Sequence, residues 1–283
     1  MKPCLHPSIV DEHRFEPFLE LAARHGYEWV DMPLQWIEDA RAQHGDAYVE
    51  EQFLSRGIAL ASFGLPVDVY GDESEFVRDL AMLPERAELA LRLGATRCTT
   101  FLWPSIDERP VPYTSRLARR LRQCAVAMMP YGIRFGLEFV GPHHLRNKAY
   151  PFVQDMQDLF AFIEAVGAPN VGMLLDSLHW YTAGVSEDDV AKLSGQQIVH
   201  VHINDTDGEP SDAHDGRRLL PGHGRIDLAA FVRATYRAGY RGPVSVEVLH
   251  QEPLSGTEDD RAKDAKEHIT KLIEEARGAY QHD

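Results

Sequence analysis

The chain is poor in cysteine, in long apolar runs and in basic charge, and each shortage excludes something. Cys4, Cys98 and Cys124 are the only cysteines in 283 residues. Three thiols without C-x-x-C spacing make neither a disulfide framework nor a cysteine metal site, so buried reduced thiols are expected. The longest apolar runs, such as Val171 to Leu175, fall far short of the roughly 20 residues that cross a bilayer. The opening MKPCLHPSIVDEHRF lacks the apolar core of a signal peptide, so a cytoplasmic protein without membrane association is expected. Lys and Arg number 29 against 44 Asp and Glu, a net charge of −15. That charge repels a phosphate backbone, and Arg116, Arg119, Arg120 and Arg122 read as the solvated face of one helix, so nucleic acid is not an expected partner. No G-x-G-x-x-G or G-x-x-x-x-G-K-[ST] loop occurs, which favours a small unphosphorylated substrate.

What is present is enough apolar material for a large core: 44% hydrophobic residues, with 12 Phe, 10 Tyr and 4 Trp. It is distributed with a rhythm. Seven times an amphipathic stretch ends at a glycine and a short β-branched run comes next: HGYEWVDM, RGIALASF, LGATRCTTF, YGIRFGLEF, VGAPNVGMLLD, SGQQIVHVHI and AGYRGPVSVEV. Glycine past a helix ends it in the left-handed conformation, and a bounded apolar run of this length is a buried strand. With Lys2 to His6 the strands number eight. Helices are expected over 16–25, 47–56, 74–93, 114–129, 153–166, 187–193, 228–239 and 257–280. Such alternation implies a parallel sheet, and eight units in this length fit one closed (β/α)8 TIM barrel spanning 1–283 as a single domain.

In such a barrel chemistry comes from the carboxyl ends of strands. Four consecutive runs carry a polar residue there: Glu138, Asp176, His202 and Glu247. A carboxylate inside a β-branched run is costly unless paired or bound to a metal. Period-2 alternation sends Gly136 with Glu138, His200 with His202, and Ser245 with Glu247, so three carboxylates and an imidazole can converge. Their mutual repulsion calls for a cation, and a mixed oxygen and nitrogen set suits Mn²⁺, Co²⁺, Mg²⁺ or Zn²⁺, one ion per chain.

These motifs, from MKPCLHPSI through NVGMLLDSLHWYTAG, VHVHINDT and LLPGHGRIDL to GYRGPVSVEVL, resemble the xylose isomerase-like barrel proteins, the sugar isomerase/epimerase and AP endonuclease family 2 group, nearest its inosose isomerase-like branch. The resemblance implies that Glu138, Asp176, His202 and Glu247 are metal ligands, that Glu138 and Glu247 are also the catalytic acid and base, and that His179 contacts substrate. It also implies a substrate-contacting arginine before the P-G-x-G turn, either Arg218 or Arg217. His144, Trp103 and His6 are further candidate pocket residues. His200, one pleat deeper than His202, reads as a core hydrogen bond, and Asp205 as a partner that orients His202.

A metal chelating a carbonyl and its neighbouring hydroxyl acidifies the intervening C–H, and a carboxylate then moves the proton. The expected activity is a metal-dependent isomerase or epimerase acting on a ketose or keto-inositol through an enediolate. A lyase using the same intermediate, an AP endonuclease and a non-catalytic sugar-binding barrel are the alternatives. The charge argues against the endonuclease. A homo-oligomer is compatible with this composition.

Overall fold

The fold is seen in a computed structural model, which describes residues 1–280. Eight strands close a parallel barrel: β1 (Lys2–Leu5), β2 (Trp29–Asp31), β3 (Ala59–Gly64), β4 (Arg97–Leu102), β5 (Arg134–Phe139), β6 (Val171–Asp176), β7 (Ile198–Ile203) and β8 (Pro243–Val246). Each pairs with its sequence neighbours, and β8 returns to β1. Each of the eight expected runs is thus a barrel strand.

The punctuating glycines act as anticipated at six of the seven positions, Gly26, Gly57, Gly94, Gly132, Gly167 and Gly239, which have positive φ. Gly195 is the exception: a Cβ there would meet the Gly239–Tyr240 backbone, so its place depends on size rather than handedness. Between strands run the expected helices, among them Phe15–Arg24, Asp46–Leu54, Glu73–Arg92, Pro110–Met128 and Glu258–Tyr280. Two more were not anticipated. Leu34–His44 buries only Leu34, Ile37 and Ala40, too thin a stripe to stand out in LQWIEDARAQH. Ser177–Thr182 is a short helix whose start Asp176 caps.

Two register shifts matter for the site. The pairing of β2 with β3 slips between Val30 and Asp31, and that of β6 with β7 between Met173 and Leu174. At the amino-terminal mouth Arg97 reaches across to the Val199 carbonyl at 2.9 Å and Arg134 to the Ile198 carbonyl, closing the bottom of the barrel. At the other mouth a two-residue antiparallel pair, Ser105–Ile106 with Tyr150–Pro151, joins the loops after β4 and β5. All three cysteines are buried and free. No helix among the described residues is long and apolar enough to cross a membrane.

Candidate metal centre and its cavity

The ends of β5, β6 and β7 and the residue after β8 bring Glu138, Asp176, His202 and Glu247 together, one potential ligand atom from each lying within 4.8 Å of the others. Asp176 is fully buried and Glu138 and His202 nearly so. Asp176 also organises the chain just beyond β6. Its Oδ1 accepts the Leu178 and His179 amides at 2.7 and 3.1 Å, starting the Ser177–Thr182 helix, and its Oδ2 accepts Asn204 Nδ2 at 2.8 Å.

One cation reaches this cluster. The Arg218 guanidinium donates to Asp176 Oδ2 at 3.0 Å, Glu247 Oε2 at 2.7 Å and Asp215 Oδ1 at 2.7 Å. One arginine stands against three clustered carboxylates, and two atoms of the set are left without partners. Glu138 Oε1 and His202 Nδ1 are buried with no hydrogen-bond partner among the described residues. Burial, then the charges of Glu247 and Asp176, push the Glu138 carboxyl well above the usual carboxylate range. Glu247 goes the other way: against the effect of burial, His202 and Arg218 hold it well below that range. His202 is raised well above an ordinary imidazole, because Glu247 and Asp31 outweigh its burial. Orphaned donors at oxygen and nitrogen, within ligating reach of one another, fit a divalent ion.

A cavity of about 680 Å³ opens beside the cluster. Glu138, Leu174, His202 and Glu247 line part of it, and the rest of the wall comes from the β1–β4 side, including His6, Gln35, Glu38, Phe101 and Arg86. Arg86 is already engaged, donating to Glu38 Oε1 at 2.8 Å and to the Pro66 carbonyl at 3.0 Å. His6, 3.6 Å from Glu247, is pushed down to about 4 by burial and is therefore neutral at pH 7.

The other expected residues lie in several places. His179 is not on the cavity wall; it is buried behind Glu138, with Nε2 3.7 Å from Glu138 Oε1 and 3.5 Å from Arg218. Of the two arginines, Arg218 belongs to the site while the Arg217 side chain is exposed, and Arg218 serves as counter-ion inside the cluster rather than on the cavity surface. His144 stacks on His214 at 3.8 Å between ring centres and is not on the wall. Nor is Trp103: it lies past the end of β4, and its ring packs edge-on against Phe101, which is on the wall. Asp205 does not reach His202. It accepts the amides of Thr206, Gly222, Gly224 and Ile226 at 2.8 to 3.2 Å and so folds the loop that carries Arg218. His200 makes the expected core bond, but to a residue that the sequence pattern does not single out, Asp31.

A parallel eight-stranded barrel with two glutamates, an aspartate and a histidine at its carboxyl-terminal mouth defines a class, and residues 19–273 match the profile of the Xylose isomerase-like TIM barrel: the chain belongs to that family. Among its relatives is a xylose isomerase domain protein from Alicyclobacillus acidocaldarius subsp. acidocaldarius, 57% identical with a TM-score of 0.96, over 98% of this chain and 99% of the other. Inosose isomerase from Bacillus velezensis is 27% identical over 280 residues, 96% of this chain and 97% of that protein. The crystal structure of the IOLI protein with a binding zinc atom shares the fold, with a TM-score of 0.82 at 23% identity over 98% and 99% of the two chains.

Proposed function

We propose that the protein is a divalent-metal-dependent isomerase or epimerase of a neutral ketose or keto-inositol, working through an enediolate. The observation that carries this reading is the pair of orphaned donors, Glu138 Oε1 and His202 Nδ1, inside a convergent four-residue set beside a cavity. The inosose isomerase relative, matched over nearly its whole length, supports the substrate class. Glu138, Asp176, His202 and Glu247 would hold the ion, which when bound polarises a substrate carbonyl and its neighbouring hydroxyl.

The chain's own groups divide the proton work. Neighbouring groups whose proton affinities are driven apart by their surroundings are suited to acid and base roles. Glu247, kept ionised, takes the proton from the carbon beside the carbonyl, through Oε1, the oxygen not held by Arg218. Glu138, which holds its proton more tightly, returns one through Oε2, the oxygen other than the buried one beside His179. His179 and Arg218 keep these two carboxylates in place from behind. The cavity wall favours a neutral substrate: Arg86, its one Lys or Arg among the described residues, is already neutralised by Glu38, and His6 is uncharged. A phosphate would find no free partner there.

The test is a panel of keto-sugars and keto-inositols incubated with Mn²⁺-loaded protein in D₂O. Exchange of the proton beside the carbonyl, with product mass otherwise unchanged, is the expected result. Loss of water would make the enzyme a lyase. Glu138→Gln and Glu247→Gln keep shape but cannot accept a proton, and each should lower turnover by several powers of ten. Undiminished exchange in both single variants would refute the two-glutamate mechanism.

A further inference from the structure

Asp31 ends β2 and has no part in the proton work above. The register slip between Val30 and Asp31 sets Asp31 beside Ser62 while Val30 stays beside Leu60, and a slip of this kind re-aims the side chain. The carboxylate thus enters the barrel, 3% exposed. Its Oδ1 accepts Ser62 Oγ at 2.8 Å and its Oδ2 accepts His200 Nε2 at 2.8 Å. Those two bonds, with the Cys4 thiol 3.6 Å from Oδ1, would satisfy a merely structural aspartate. They leave unexplained that Oδ2 also stands 3.7 Å from Nε2 of His202.

The His202 ring lies between two carboxylates. Nε2 faces Asp31, and Nδ1 lies 3.3 Å from Glu247 Oε2 as one of the site's two orphaned atoms. A neutral imidazole has one bare nitrogen, and the bond made by the other nitrogen decides which it is. We propose that Asp31 is a positioning residue for the metal centre: it draws the Nε2–H of His202 toward itself and so presents Nδ1 bare to Glu138, Asp176 and Glu247. The gap of 3.7 Å exceeds a hydrogen bond, and a modest tilt of the ring closes it. His200, bonded to the same oxygen, holds Asp31 back from the cluster. The competing arrangement is visible too: His6, Asp31 and Nε2 of His202 also stand within reach of one another, which would make Asp31 a ligand. The bond to His200 and the orphaned state of Nδ1 favour the positioning role.

The proposal rests on the metal-site reading, and two measurements on the full-length chain separate their failures. Zinc affinity is measured by competition with a chromogenic chelator, and the His202 nitrogens of zinc-loaded, ¹⁵N-labelled protein are read by ¹H–¹⁵N NMR. Expected are a metallated Nδ1 with an exchange-protected Nε2–H in the wild type, and an affinity for zinc that falls about 10- to 100-fold in Asp31→Asn. Ser62→Ala, which removes a donor that Asp31 holds on its other oxygen, should stay within a few-fold of wild type. No zinc uptake by the wild type would sink the metal reading and this proposal with it. Uptake with Nε2 metallated, or with Asp31→Asn binding as tightly as wild type, overturns the proposal alone. The NMR result on the wild type stands whether or not Asp31→Asn folds.

Discussion

Replacing Arg218 with methionine tests the electrostatics of the cluster most directly. Its guanidinium is 3% exposed and bridges Asp176, Glu247 and Asp215 at 2.7 to 3.0 Å. Methionine fills much of the volume but leaves buried carboxylates without their counter-ion, a change that costs about 3–5 kcal/mol. Unfolding entropy of about 2.1 cal/mol/K per residue amounts, over this chain length, to about 0.6 kcal/mol/K, so the expected fall in Tm of metal-free protein is about 5–8 °C. Arg217→Met is the internal control, because that side chain is exposed and its loss should cost less than about 0.5 kcal/mol. The zinc response is more discriminating. Asp176 already accepts four hydrogen bonds, so Arg218 and a divalent ion compete for the same oxygens. Removing the arginine should therefore raise zinc affinity while lowering metal-free stability, and saturating zinc should shrink the Tm deficit. Calorimetry with and without zinc gives both numbers. A metal-free deficit below about 1 kcal/mol, or weaker zinc binding by Arg218→Met, would refute the competition.

Zinc uptake should release protons, since His202 binds a proton more tightly than usual and must give it up to ligate. Apparent affinity then rises with pH and falls on acidification; titration calorimetry in buffers of different ionisation heat measures the release, and none at pH 7 would contradict the assignment. His179→Ala should retain zinc yet lower turnover by roughly 10², because its nearest site neighbours are Glu138 and Arg218 and it stands outside the four-donor set; metal lost together with activity would make it a ligand. Asp205→Ala should cost about 2–4 kcal/mol through four unpaired amides and should raise amide exchange across residues 219–226, where wild-type protection would show that the loop holds itself.

The barrel is readable because its pattern is periodic, a glycine and then a buried run, and periodicity survives ignorance of tertiary contacts. Glu138, Asp176, His202 and Glu247 stand out for the opposite reason, as polar residues inside runs that are otherwise apolar. Asp31 escapes notice because it closes a three-residue strand, where Asp after Val looks like the start of a turn, and its inward aim depends on a register slip that no alternation reveals. The choice between Arg217 and Arg218 lies in a loop without period, decided by the pairing of Asp205 with Leu219 and of Arg217 with His250. Asp205 misleads because nearness along the chain is not nearness in space. Beyond the end of the strand its carboxylate turns to the amides of its own loop.

The lopsided placement of the cavity has an evolutionary corollary. The four clustered donors come from β5, β6, β7 and the residue after β8, whereas Gln35, Glu38, Asp79 and Arg86 face the cavity from helices that succeed β2 and β3. Variation at these four positions changes which molecule is held without disturbing the reactive carboxylates. A lineage could therefore adopt new sugars by small steps, each leaving a working enzyme. A laboratory library confined to the same four codons should likewise recover altered selectivity far more often than dead protein.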